Sequence, residues 1–328
     1  MSTSADPIQS AALHEEWFDL RGDGERLYFL STWYATDGEE RIKPKAAVVY
    51  VHGFAECIHS YDNAFRYFAK NNYEIHSFDQ RGYGRTWYDQ PGRETWHGWT
   101  TWNDQFFDVS KMIELTRTRL DEDWGKDEVP IFLMGHSMGG GISAGFFTRD
   151  YGTGPAEETK SKISGVLLSA PWLDIHNPIG VPTSIAGVVS SALLTVFPRM
   201  RNFIGLKHED LCRDPEIVEH IRREPIHSYW VYGRGLLDPL RNGPRIVTHD
   251  YVKWPENLPL LIVHGTADRI TRYDCSEKLV ARIKAMGRDA ELVTLPGFYH
   301  QLMHEPGDDK IKAANAFISW LDRHVPSE

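Results

Sequence analysis

The chain has 328 residues, 41% of them hydrophobic, and its 46 acidic side chains outnumber 36 Lys and Arg for a net charge of -10. This is the composition of a globular protein, and the acidic balance offers no general attraction to nucleic acid, so no nucleic-acid partner is expected. The N-terminal stretch MSTSADPIQSAALHEEWF lacks a basic start followed by an apolar core, which leads to the expectation of a cytoplasmic protein. Cys57, Cys212 and Cys275 lack metal-ligand spacing and are expected to be reduced thiols.

From Ala46 onward short apolar runs alternate with amphipathic segments. AAVVYVH, YEIHSFD, PIFLMG and GVLLSA read as strands up to Ala170, and PLLIVHG and AELVTLP read as strands after Leu258. Between the first two, Tyr61, Ala64, Phe65, Phe68 and Ala69 share one helical face. The pattern predicts an α/β fold with a mostly parallel central sheet flanked by helices.

Between Pro171 and Pro259 the alternation stops. This stretch holds a charge-free run, TSIAGVVSSALLTVFP from Thr183 to Pro198, then a helix capped by Asp214 with Pro215 at its first position, then the turn-rich SYWVYGRGLLDPLRNGPRIV. A structureless loop of that length does not suit a compact domain, so residues 171–258 are expected to form an inserted helical cap on a core made of 1–170 and 259–328. Further on, Asp274 and Glu277 suggest a capping box for a helix that Gly287 ends. The final helix, DKIKAANAFISWLDRH, puts Ile311, Ala314, Ile318 and Leu321 on one face.

The chemical signal lies in IFLMGHSMGGG. Gly135, His136, Ser137, Met138 and Gly139 form G-x-S-x-G between a strand and a helix, the setting in which a serine is held on a sharp turn with its hydroxyl exposed. A serine nucleophile needs a base and an orienting carboxylate, expected after it in the order Asp, His. Asp268 follows the strand PLLIVHG and His300 follows AELVTLP, both at strand carboxyl ends. His304 is a rival base and Asp174 a rival acid, the latter reading more naturally as a turn residue, while His97, His227 and His264 read as surface or packed residues. The negative oxygen of a tetrahedral intermediate requires backbone N–H donors. Met138, after the nucleophile, and Phe54, in the loop His52-Gly53-Phe54-Ala55-Glu56, are the candidates. Glu56 would either brace that loop or meet a polar substrate group. FDQRGYGRT has neither a P-loop lysine nor dinucleotide-type glycine spacing and reads as a structural turn with Asp79 and Arg81 paired locally. No metal or cofactor is expected.

With HGFAE, FDQRGYG, GHSMGGG, HGTAD and PGFYH in this order, the chain resembles the monoacylglycerol lipases of the α/β-hydrolase superfamily, fungal members above all, from about Phe18 to the C-terminus. The resemblance implies cleavage of monoacylglycerol to fatty acid and glycerol, with Ser137, Asp268 and His300 as triad and the Phe54 and Met138 amides as oxyanion hole. Many family members carry glycine where this chain has Ala55. Lysophospholipase, general esterase or carbon–carbon hydrolase activity remains open, as does a non-catalytic ligand receptor on the same fold. Thr183 to Pro198 is shorter than the roughly 20 residues that cross a bilayer. Ile185, Val188, Val189, Ala192 and Val196 form one helical stripe, with Leu193, Leu194 and Phe197 outside it. Either the segment packs within the cap, or Leu194 and Phe197 contact acyl chains and a membrane or lipid-droplet surface, making the protein peripheral.

Overall fold

The computed structural model describes residues 13–38, 40–89, 96–149, 157–176, 196–197, 199–203 and 206–325. All six expected strands are present: β3 (Ala46–Val51), β4 (Tyr73–Phe78), β5 (Ile131–His136), β6 (Ile163–Ser169), β9 (Leu260–Gly265) and β10 (Ala290–Leu295). They pair in parallel, and two strands that the patterning did not reveal, β1 (Leu13–Phe18) and β2 (Tyr28–Trp33), join antiparallel at one edge. The sheet order is β1-β2-β4-β3-β5-β6-β9-β10. β2 (YFLSTW) is buried along its whole length, but its Ser31 and Thr32 break the apolar run that marks a strand in the sequence.

The helices of nine residues or more are α1 (Asp62–Lys70), α2 (Trp102–Trp124), α3 (Met138–Thr148), α4 (Pro215–Arg223), α5 (Arg234–Thr248), α6 (Tyr273–Ala285) and α7 (Asp309–His324). All but α4 pack against the two faces of the sheet or the helices on them. Successive side chains of a strand point to opposite faces, so Ala47, Val49 and Val51 of β3 enter a core with Phe106 of α2, Ile142 of α3 and Leu279 of α6. Ala46, Val48 and Tyr50 enter a second with Phe65 of α1 and Phe317 of α7. Burial on both faces explains why the parallel strands read as continuous apolar runs rather than alternating ones.

The helix after β9 does not begin with the expected capping box. Its N-cap is Arg272, without a side-chain cap, and Asp274 lies in the first turn, where its carboxylate is taken by Arg272 (2.7 Å) and Lys278 (2.7 Å). Gly287 does follow the helix end with φ +75°, a left-handed conformation that glycine adopts without strain. Asp214 caps α4 as anticipated, accepting from the amides of Glu216 (3.0 Å) and Ile217 (3.4 Å), with Pro215 at the first helical position.

Between β6 and β9 no described segment joins the large sheet. This stretch supplies α4 and a two-stranded ribbon of β7 (Arg201–Phe203) and β8 (Trp230–Tyr232). It is tied to the core by the Ile175–Thr271 bridge and by the Gln301 amide, which donates to the Leu211 carbonyl (2.7 Å). The later α5 is different: Ile246 and Val247 lie in the main core, and a Cβ on Gly243 would sit 2.8 Å from the Trp172 carbonyl oxygen. Among the described residues no helix is long and apolar enough to cross a membrane. Most of the charge-free run, including Leu194, lies outside the described residues. Phe197 is described and is 56% exposed.

Candidate active site

Strand β5 ends at His136, and Ser137 then turns the chain into α3 with φ +50° and ψ -117°. Left-handed φ costs a non-glycine residue on the order of 1 kcal/mol or more, and only dense surroundings maintain it. Here they do. The Ser137 amide donates to the Ser169 carbonyl (3.0 Å), while its own carbonyl accepts from Gly141 (3.0 Å) and Trp172 (2.7 Å). A Cβ on Gly135 would stand 2.3 Å from the Gly139 carbonyl oxygen, and one on Gly139 only 2.0 Å from that of Val51. The flanking glycines are therefore required by contact distance. Gly139→Ala is expected to cost about 3 kcal/mol of stability, because the obstruction is backbone that cannot rotate aside; urea denaturation would measure it.

His300 and Asp268 come from the loops after β10 and β9. His300 Nδ1 lies 2.8 Å from Asp268 Oδ2. The same oxygen accepts from the Thr271 hydroxyl (2.7 Å) and faces His264 Nε2 (3.1 Å), while Oδ1 accepts from the amides of Ile270 (2.7 Å) and Thr271 (3.0 Å). Burial alone would raise the Asp268 pKa, but the neighbouring His300 and His264 outweigh it and hold the carboxyl well below the usual range. An ionised Asp268 requires a proton on His300 Nδ1, which leaves Nε2 with its lone pair free. His264 Nδ1 in turn meets the Ser276 hydroxyl at 2.8 Å. His264 is thus a fully buried brace for Asp268. The rivals fall elsewhere: His304 Nε2 donates to the Ser60 carbonyl (2.6 Å), and Asp174 caps its own turn through the Ile175 amide (2.9 Å).

Neither the Phe54 nor the Met138 amide has an acceptor among the described residues. Met138 opens α3, where the first amides of a helix have no intrahelical partner. Phe54 is held by its ring, edge-on to Tyr83 (5.5 Å) and Trp172 (6.1 Å). The next residue, Ala55, has φ +54°, a left-handed conformation that favours glycine and strains an alanine.

Glu56 braces this loop. Its Oε2 accepts from the Gly53 amide (2.7 Å) and the Tyr61 hydroxyl (2.9 Å), its Oε1 accepts from Gln301 Nε2 (2.8 Å), and His136 Nε2 is 3.5 Å away. Burial opposes its ionisation, yet His136 and the donors from Gln301 and Gly53 bring its pKa to about 2. Burial also acts on the His136 ring and lowers its pKa to about 3, against the pull of the neighbouring Glu56 carboxylate. His52 is likewise neutral, pushed by burial to about 4, with Nδ1 donating to the Gly53 carbonyl (2.7 Å) and Nε2 accepting from the Gln80 amide (2.9 Å). The expected Asp79–Arg81 pair is not formed. Asp79 accepts from the amides of Ile58 (2.8 Å) and Arg85 (2.7 Å), whereas Arg81 turns to Asp104 (3.5 Å), Asp108 (3.8 Å) and the Tyr28 hydroxyl.

A pocket opens over Ser137 and His300. Phe54, Trp172, Ile175, Leu206, Leu211, Ile221 and Ile270 are its apolar lining, and Glu56, His227, Tyr229 and Gln301 also line it. His227, read from the sequence as a surface or packed residue, is buried yet faces this space, with Nε2 near the Ser60 hydroxyl (3.2 Å). The apolar lining residues carry no mark in the sequence, since a leucine that lines a cleft looks like one in a core. Gln301 alone had a signal, its position directly after His300.

Comparison with known proteins agrees with this architecture. Monoglyceride lipase of Saccharomyces cerevisiae is 27% identical over 313 residues, covering 93% of each chain. Monoacylglycerol lipase of Mycolicibacterium smegmatis is 26% identical over 283 residues, covering 86% of this chain and 90% of that protein. The crystal structure of a soluble variant of the Saccharomyces cerevisiae monoglyceride lipase, in complex with a substrate analogue, superimposes with a TM-score of 0.80 over 96% of each chain at 24% identity. A carboxyl esterase from Bacillus coagulans in complex with glycerol superimposes at 0.72, with 20% identity, over 96% of this chain and 99% of that one. The fold is that of the α/β-hydrolases. A family model described as serine aminopeptidase, S33, matches residues 42–307, and the chain belongs to that family.

Proposed function

We propose that this protein hydrolyses monoacylglycerols to fatty acid and glycerol through an acyl-enzyme on Ser137. The observation that carries this reading is the pocket above Ser137, whose wall is mostly apolar and includes Glu56, His227, Tyr229 and Gln301, as suits an ester with one hydrocarbon chain and a hydroxylated head. Relatives named for this activity support it.

In this mechanism His300 Nε2 removes the Ser137 hydroxyl proton as Oγ attacks the ester carbonyl. The Phe54 and Met138 amides receive the oxyanion, and His300 returns the proton to the departing glycerol oxygen. Water then enters, gives its proton to His300 and its oxygen to the acyl carbon, and the fatty acid leaves as Ser137 recovers its proton. Asp268 holds the imidazole in the required tautomer.

Two other activities are disfavoured by the lining. Cleavage of an N-terminal residue calls for an accessible carboxylate to bind the substrate ammonium, but Glu56, the one carboxylate among the described lining residues, is buried and already accepts three hydrogen bonds. A lysophospholipid would bring a phosphate, and no lysine or arginine is among the described lining residues. Rates on monobutyrin and longer monoacylglycerols, compared with di- and triacylglycerols, lysophosphatidylcholine, aminoacyl anilides and nitrophenyl esters, test the reading. Indifference to monoacylglycerols alongside rapid cleavage of nitrophenyl esters would end it.

The region between β6 and β9 serves in this reading as the cap, and it meets a lipid surface. Val196, Phe197, Met200 and Trp230 are exposed, and β7 brings this group together. The Met200 amide donates to the Phe197 carbonyl (3.0 Å), Met200's carbonyl accepts from Gly233, and Phe203 pairs with Trp230. Phe197→Glu is expected to leave stability within about 0.5 kcal/mol while lowering turnover of liposome-borne substrate severalfold and sparing nitrophenyl acetate. Equal turnover of vesicle substrate by the variant would remove Phe197 from the contact.

A further inference from the structure

Beside the exposed Phe197, Met200 and Trp230 lies a cluster of rings and cations that the proposed reaction does not use. β7 and β8 pair with Arg201 opposite Tyr232, and the Gly233 amide donates to the Met200 carbonyl (3.0 Å) just beyond. The next residue outward on each segment is an arginine, so Arg199 and Arg234 stand at the same ribbon end. Each guanidinium lies over an indole, Arg199 5.2 Å from the ring centre of Trp96 and Arg234 5.0 Å from that of Trp99. The two indoles meet edge to face at 5.0 Å, and both rings reach Tyr232, at 5.4 and 5.9 Å. Their loop is clamped to β8, with the Tyr232 amide donating to the His97 carbonyl (2.9 Å).

Arg199 is exposed and Arg234 partly so, and neither has a carboxylate in ion-pair range among the described residues. Arg21, Arg41, Arg213 and Arg272, by contrast, each hold one. Stacking on an indole fixes a guanidinium and leaves its N–H edge open to an acceptor, and a phosphate fits that edge with two parallel bonds. Tryptophan favours the headgroup level of a bilayer, between water and acyl chains. The chain as a whole carries a net charge of -10 and is repelled by negative surfaces, so any attraction must be local, as it is here. We propose that this edge of the cap docks on an anionic phospholipid surface, with Arg199 and Arg234 taking the lipid phosphates and Phe197, Met200 and Trp230 entering among the acyl chains. A zwitterionic lipid offers the same phosphate with its own ammonium in competition, so the two arginines favour the anionic one. The inference rests on the lipid-surface reading above and names the lipid class that this surface selects.

Co-sedimentation with vesicles of phosphatidylcholine alone, and of phosphatidylcholine with roughly 30% phosphatidylglycerol, tests this. The protein should bind the mixed vesicles about tenfold more tightly at low ionic strength, and roughly 0.5 M salt should erase the difference. The paired change Arg199→Gln with Arg234→Gln should remove the preference, while affinity for phosphatidylcholine and the rate on monobutyrin change less than about twofold. Arg199→Lys with Arg234→Lys keeps both charges and should keep most of the preference. A preference that survives the glutamine pair, or that is lost equally in the lysine pair, would overturn the inference: the first would place the attraction elsewhere, and the second would trace it to ring stacking. Wild-type protein that binds neither vesicle would sink the lipid-surface reading itself; binding to both with equal affinity would sink only the anionic selection.

Discussion

Ser137→Ala is expected to eliminate ester hydrolysis while leaving the fold in place. The proposed mechanism passes through a bond to Ser137 Oγ, and without that atom only binding and the oxyanion donors remain, a loss on the order of 10^6-fold in kcat. The turn should survive the change because its geometry depends on backbone partners, the Ser169 carbonyl and the Gly141 and Trp172 amides, and on the bare approach of Gly135 and Gly139, none of which involves the hydroxyl. Circular dichroism and thermal unfolding should therefore match the wild type, and a fluorophosphonate probe should no longer label the protein. Retention of even a hundredth of the wild-type rate would show that another group is the nucleophile.

Asp268→Asn should be nearly as damaging despite its near-identical shape. Five donors converge on the two oxygens of Asp268: His300, Thr271 Oγ1 and His264 on Oδ2, and the Ile270 and Thr271 amides on Oδ1. An asparagine that keeps its oxygen toward the two backbone amides must turn its NH2 toward His300. The imidazole then accepts at Nδ1 and carries its proton on Nε2, where it cannot take one from Ser137. A fall of roughly 10^4-fold in kcat is expected, with KM little changed. Steady-state rates on monobutyrin would measure it, and a loss below tenfold would mean that Asp268 does not set the state of His300.

These residues were legible because their constraints are local. A serine forced into left-handed φ needs small neighbours in contact with Val51 and Gly139 backbone, so the sequence must carry glycine on both sides, and it does. Asp268 and His300 could be located because each directly follows an apolar strand, and parallel strands bring their carboxyl ends to one edge. The same local logic succeeded for Asp214 at the head of α4 and failed for Asp274. There the carboxylate had two nearer cations, Arg272 and Lys278, and spacing does not reveal which partner a charge chooses. Asp79 shows the same limit: Arg81 was its neighbour in sequence, but the carboxylate is taken by the backbone amides of Ile58 and Arg85.

By itself, then, the sequence determined the parallel strands, the turn at Ser137 and the strand-end positions of Asp268 and His300, since strand burial and turn sterics act over a few residues. Only the tertiary structure decided that Glu56 braces the loop carrying Phe54, that His264 supports Asp268, and that Leu206, Leu211, Ile221, His227 and Gln301 meet over Ser137. Those contacts join segments tens to hundreds of residues apart, and whether a leucine fills a core or lines a cleft is set by its neighbours in space.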